Sequence, residues 1–459
     1  MPLSTLDPKP TPLLPPGITD ESISERIGGI VVKRKIGRGW IGGFILAFLT
    51  LMMFNYAVAV LFCYGVGIWG LQIPVAWGFA IVNFVWWVGI GHAGTFISAV
   101  LYLCHQEWRT SINRFTEAMT LFAVSCAATF PLLHLGRPWL FYYLFPYPNT
   151  MALWPQFRSP LIWDMFAVMT YAIVSVVFFL VGLLPDLATL RDRSPHRWQQ
   201  IIYGILALGW RGSGRQWSRY KMAYLIIAGL ATPLVVSVHS IVSLDFAVGI
   251  VPGWHTTIMP FYFVAAALQS GFAMGLVLIV PVRHFYGLKD IITGRHLANM
   301  AKLMLVMSLI VGHGYFTDTF MTWYSGDPYD KFITVDKFTG AYAIRGWLLI
   351  VLDVGVVQLI WFRRVRESPI ALFVIAILAN VGLWLDHFIL VVQSLHIDYL
   401  PSEWRFYRST IWDWMLLIGS FGLFFTLFFI FIRVFPMIAM SEMHGLVHKK
   451  PGEEKEQGA

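Results

Sequence analysis

Between FTEAMTLFAVSCAATFPLL (Phe115–Leu133) and LIWDMFAVMTYAIVSVVFFLVGLL (Leu161–Leu184) the chain reads HLGRPWLFYYLFPYPNTMALWPQFRSP (His134–Pro160). Each flank is an apolar run of the ~20 residues that cross ~30 Å of hydrocarbon. The connector and the first turn after it hold His134, Arg137, Arg158, Asp164 and prolines 138, 146, 148, 155 and 160. Two spans joined by a rigid, ionisable loop at a membrane edge is the reading that accommodates both. The same kind of run recurs along the chain, giving ten: Trp40–Tyr64, Ala76–Leu103, Phe115–Leu133, Leu161–Leu184, Met222–Leu244, Thr257–Val282, Met300–Phe320, Ala341–Phe362, Ile370–Leu395 and Ile411–Phe435. The expected fold is an all-α polytopic membrane protein with ten transmembrane helices.

Composition agrees. Of 459 residues, 57% are hydrophobic and 13% charged, against about 25% charged in a soluble domain. Residues 1–39 form a Pro-rich N-terminal arm, read as an extended cytoplasmic leader over MPLSTLDPKPTPLLPPGITD. Residues 40–435 form the membrane domain, and 436–459 a cytoplasmic tail ending in the solvated KKPGEEKEQGA. The arm lacks the apolar core of a cleavable signal, so the first span is expected to act as its own targeting signal.

Cys63, Cys104 and Cys126 are scattered over three segments with no CxxC, CxxCH or ferredoxin spacing. The expectation is therefore no iron–sulfur cluster and no c-type haem in this chain. The net charge of +8 reads as membrane topology, with no nucleic-acid partner. With the N-terminus inside, 26 of the 33 Lys and Arg residues fall on the inner side and 7 outside. The positive-inside rule then puts both termini in the cytoplasm of a bacterial inner membrane. The long inner loop RWQQIIYGILALGWRGSGRQW (Arg197–Trp217) reads equally as an interfacial helix or as a solvated loop.

In this orientation His134 ends span three, Asp164 starts span four, and His239 and Asp245 lie late in span five, all toward the outer edge. His313 and Asp318 of span seven, Arg345 of span eight and Asp413 of span ten share that edge; Asp386 and His387 lie deeper. Ionisable groups at membrane depth face a cavity, a partner or a bundle interior. Quinol oxidation uses such groups, because two protons leave with two electrons and the hydroxyls need bases. His134, Asp164 and Asp245 are the candidate catalytic set, and Arg137, Trp163 and His239 candidate quinone contacts. Arg137 is also a candidate partner for Asp164. The WLFYYLF rings (Trp139–Phe145) read more simply as an aromatic belt, and Asp413 as a helix N-terminal charge. A candidate proton route adds His92, Lys302, His313, Asp318, Arg345, Asp353, Asp386 and His387, with Glu117 near the inner edge. Against that role, His92 is also explained by a backbone hydrogen bond at a close helix crossing, and Lys302 by snorkelling. Asp353 and Asp386 are expected to pair with Arg345 and His387.

HLGRPW, FPYPN, FRSPLIWDMF and HSIVSLDFAVGIVPGWHTTIMPFYF together resemble the NrfD/polysulfide reductase C family of quinone-interacting membrane subunits. Within that family the chain is most similar to the larger NrfD-like subunit of Alternative Complex III. The resemblance runs from span two to span ten. It implies two four-helix bundles, spans 2–5 and 6–9, flanked by spans one and ten. GHAGTF in span two and LQSGFA in span six are a loose trace of that duplication; RSPLIWD and RSTIWD are not in equivalent positions. The resemblance further implies that His134, Asp164 and Asp245 match the family's quinol-site residues, with menaquinol the expected quinol. Electrons would leave through an extracytoplasmic iron–sulfur subunit, beside a second NrfD-like subunit and a multihaem cytochrome c, with proton translocation coupled to the chemistry. Two other readings stay open from the residues: a b-type cytochrome using two of His134, His239, His313 and His387, and a secondary transporter built from paired bundles.

Overall fold

The computed structural model describes residues 14–15, 17–32, 36–145, 157–397 and 399–447. Prolines 146, 148 and 155 and the KKPGEEKEQGA tail lie outside the described residues. Among the described residues, ten helices are long and apolar enough to cross a membrane: Arg38–Tyr64, Phe79–Leu103, Asn113–His134, Pro160–Arg193, Gly214–Ala247, Met259–Phe285, Gly294–Ser325, Ala343–Trp361, Pro369–His396 and Ile411–Val434. All ten sequence runs are recovered. The helices of spans four, five and seven extend by one to two turns on the side bearing the termini, where the added residues are polar.

Spans two to five pack as a ring in which each touches the next and span five closes on span two. Spans six to nine form a second ring, joined to the first mainly through spans two and six. The two loosely similar stretches meet at this joint. Gly89 packs on Ala267 and Gly271 on Ala93, so the helices run parallel and close, as a small-residue crossing permits. Spans one and ten pair with each other and lean on span three. Gly419 and Gly422 of span ten sit against the backbone at Phe54 and Leu51, where a side chain would collide.

Spans two, eight and nine each contain a π-helical turn, at Phe96–Val100, Ile350–Gly355 and Ile389–Gln393. Such turns recur at functional positions because the wider backbone re-aims side chains. Asp353 lies in the second of them and His387 just before the third.

The N-terminal arm departs from the expected leader. Asp20–Val32 is a helix whose Ile23, Ile27, Ile30 and Val31 are buried, and Gly28 lies against Leu190 and Met440. Apolar residues at i, i+4, i+7 and i+8 need only a packing surface to fold, and the inner end of span four with the C-terminal helix Met440–Val447 supplies it. Ser24 Oγ and His444 Nε2 lie 2.9 Å apart across that contact, so both ends of the chain stand on one side. On the same side, the helix Arg197–Leu206 exposes Trp198, Ile201, Ile205 and, just beyond it, Leu208, while Tyr203 is buried. That apolar exposed face favours the interfacial helix over the solvated loop.

Candidate functional site

On the side opposite the termini, span three ends at His134 because Gly136 takes a left-handed conformation (φ 67°). Its N–H closes on Leu133 O at 3.0 Å, the usual glycine stop of a helix. His134 is half-buried and its Nδ1 is buried with no protein partner among the described residues. Asp164, one turn into span four, is 8% exposed, and its carboxyl lies in hydrogen-bond contact with that of Asp245 from span five. Two carboxyls hydrogen-bond only through a proton held by one of them. The pair is therefore a ready proton-exchange unit.

His134 joins this pair through Trp77, for which the sequence pattern offers no signal. The Trp77 ring meets His134 edge-on at 6.3 Å, meets Phe246, the neighbour of Asp245, at 6.0 Å, and stacks on Trp254 at 5.5 Å. Trp77 precedes span two and Trp254 lies between spans five and six, so only the assembled bundle brings them together. Arg137 is exposed and forms no pair with Asp164 among the described residues. Trp163 is 39% exposed and its indole N–H donates to Phe157 O at 2.6 Å, pinning the connector. The rings of Trp139, Phe141, Tyr142 and Tyr143 are exposed, as an aromatic belt requires.

His239 lies deeper than expected, about 9 Å inward of Asp245 along the helix. It is fully buried and packs 5.0 Å from His92 of span two. Phe263 touches both His239 and His387 of span nine. His92 Nδ1 meets Val88 O at 2.7 Å and His387 Nδ1 meets Leu383 O at 2.6 Å. The Nε2 atoms of both, and both ring nitrogens of His239, have no protein partner among the described residues. His92 thus makes the backbone bond expected of it while keeping one nitrogen for other use. The His92 and His239 rings are too close to stand on opposite faces of a porphyrin.

In the second bundle, Asp353 is fully buried. Its carboxyl accepts from Gln269 Nε2 at 2.7 Å and from Tyr315 OH at 2.8 Å, tying spans six, seven and eight together. The expected partners were Arg345 and His387. Arg345 is instead exposed, with its guanidinium over the Tyr342 and Phe388 rings; it snorkels to the edge rather than entering the bundle. Asp386 and Asp318 line an outer cavity of about 430 Å³ together with Lys337, Tyr315 and Tyr262. Asp386 Oδ2 has no protein partner among the described residues. His313 and Lys302 are exposed on the bundle's outside, away from this cavity. Asp413 caps span ten, accepting from Thr410 N at 2.7 Å and Gly70 N at 3.0 Å, which is the structural role anticipated for it.

The inner half is richer than the sequence suggested. Arg114, fully buried, bonds Glu117 at 2.9 Å, Asp186 at 3.5 Å and the Gly182 carbonyl. Tyr224 OH donates to Glu117 at 3.1 Å. Arg109, in the loop before span three, meets Glu442 of the C-terminal helix at 2.7 Å. Burial opposes the Arg109 charge, but the Glu442 carboxylate outweighs it and holds the guanidinium above its ordinary value. In the sequence, Arg109 and Arg114 count only as topology charges, and Asp186 and Glu442 as loop and tail. Nothing in their spacing announces a shared cluster.

The family model described as polysulphide reductase, NrfD matches residues 67–398, which takes in both four-helix rings. A Halobacterium salinarum protein, provisionally named as the C-type membrane subunit of a dimethyl sulfoxide reductase, is 28% identical over 248 residues, 54% of this chain and 52% of that protein. The chain thus spans about half of that relative. The C component of the selenate reductase of Mesobacillus selenatarsenatis is 22% identical over 441 residues, 89% of this chain and 98% of the relative. With the family match covering well over half its length, this chain belongs to the NrfD family of multi-span membrane proteins.

Proposed function

We propose that this chain is the quinol-oxidising membrane subunit of a respiratory or photosynthetic redox complex. The observation that carries the reading is the Asp164–Asp245 carboxyl pair beside His134, at the end of the bundle away from the termini. Oxidation of one quinol releases two protons and two electrons. The carboxyl pair takes one proton and His134 the other, and the electrons pass to an iron–sulfur cluster in a partner protein. Trp77, Phe246 and Trp254 offer flat apolar faces to a quinone ring and exclude water from it.

Both relatives are named as components of reductases, which supports membership of an oxidoreductase complex. The finer reading is Alternative Complex III in a bacterial cytoplasmic membrane, with both termini in the cytoplasm and menaquinol as substrate. A second NrfD-like subunit and a multihaem cytochrome c would be its neighbours. The charge count of 26 against 7 supports the orientation. Proton coupling would run through the outer cavity at Asp318 and Asp386, then Asp353, then the His387, His239 and His92 group toward Glu117. Water must bridge the gaps between them. The exposed positions of His313, Arg345 and Lys302 lend that route no support.

The test is photolabelling of the purified complex with an azidoquinone. Adducts on peptides carrying Trp77, His134, Asp164 or Asp245 are expected, with competition by unlabelled quinol. Labelling confined to other spans would overturn the assignment. A c-type haem spectrum in the affinity-purified complex would favour Alternative Complex III over a reductase assembly, and its absence the reverse.

A further inference from the structure

On the side bearing the termini, the N-terminal helix, the start of span one and the ends of spans six and ten surround a cavity of about 450 Å³. Trp40, Val277, Pro281, Phe285, Phe425 and Phe429 supply its apolar wall. Arg433, in the last turn of span ten, is the one charged side chain among its lining residues. Its Nη1 donates to Ile30 O at 2.8 Å, and it forms no ion pair among the described residues. Trp40, whose indole N–H bonds Phe429 O at 3.1 Å, marks the depth of the bilayer interface.

We infer that this cavity is a binding site for an anionic phospholipid, with an acyl chain in the apolar groove and its phosphate on Arg433. Four features point to that occupant. The groove opens toward hydrocarbon, where water cannot fill an apolar recess of this size. Its volume lies in the range of sites that enclose a ligand or a chain. A guanidinium at the edge of hydrocarbon, bonded to one carbonyl, needs an anion to complete its fork of donors. The anion found at this depth is the lipid phosphate, and the side of the molecule carrying 26 of 33 basic residues favours a net-negative head group. The site is independent of the quinol reading, and lies at the opposite end of the helices.

The complex would be reconstituted in nanodiscs containing phosphatidylglycerol or phosphatidylcholine with a diazirine in the acyl chain, and adducts mapped by peptide mass spectrometry. Adducts should concentrate on residues 277–286 and 425–433, with phosphatidylglycerol exceeding phosphatidylcholine on the order of fivefold for one basic residue at the surface. Gly39 also lines the cavity, and a Cβ added there meets nothing within 4 Å. Gly39→Trp should therefore fill the groove without disturbing the fold and abolish labelling by both lipids. Arg433→Gln should keep acyl labelling while the ratio falls to about one. Labelling spread evenly over all lipid-facing helices, or unchanged by Gly39→Trp, would overturn the site. A ratio unaltered in Arg433→Gln would overturn the head-group assignment.

Discussion

Asp164→Asn is the sharpest perturbation of the proposed chemistry. Asp164 is 8% exposed, and its carboxyl touches that of Asp245. Asparagine has nearly the same shape, and its amide donates to the Asp245 carboxylate, so the contact survives without the exchangeable proton. Stability should therefore shift by less than about 1 kcal/mol, since no cavity opens and no buried group loses its partner. Turnover should fall by about 100-fold, the loss typical of a positioned acid–base group. That corresponds to about 2.7 kcal/mol on the barrier. If Asp164 and Asp245 hold one proton as a unit, Asp164→Asn with Asp245→Asn should be no slower than the worse single variant. Independent bases would multiply to about 10,000-fold instead. The assay is steady-state oxidation of a short-chain quinol by the purified complex, with thermal unfolding measured in parallel. Normal turnover in Asp164→Asn, or a fully multiplicative double variant, would refute the reasoning.

Reporter fusions in the loop 194–213 should report the cytoplasmic side, since 26 basic residues lie on that face; an external signal would invert the topology and move the proposed site. Asp386→Asn should lower proton translocation in proteoliposomes while quinol oxidation persists. Asp353→Asn should do the same and also destabilise the chain by about 1–3 kcal/mol, because one of its two side-chain bonds, to Tyr315 or Gln269, loses its acceptor. Normal translocation in both would make these residues structural. Arg114→Met leaves Glu117 and Asp186 buried without their cation and should cost about 3–5 kcal/mol, read as earlier thermal inactivation; unchanged inactivation would show the cluster to be dispensable.

The ten spans, their order and the common side of the two termini were legible in the sequence, because hydrocarbon imposes length and apolarity on each segment locally. The same holds for Asp413, whose place three residues after Thr410 already marks a helix start. Which ionisable groups meet was decided by the tertiary structure. Span two is apolar nearly all round, so its sequence does not say which way His92 turns, and only packing against spans five and six sets it beside His239. Asp353 found Tyr315 and Gln269 rather than Arg345 because a π-helical turn rotates it into the bundle while Arg345, at the edge, escapes outward. Trp77 and Trp254 read as loop aromatics until two bundles close around them. The helix Asp20–Val32 and the Arg114 cluster needed partners more than 70 residues away in sequence. Hydropathy fixes where a helix lies in the membrane, but the rotation of each helix about its axis comes only from its neighbours.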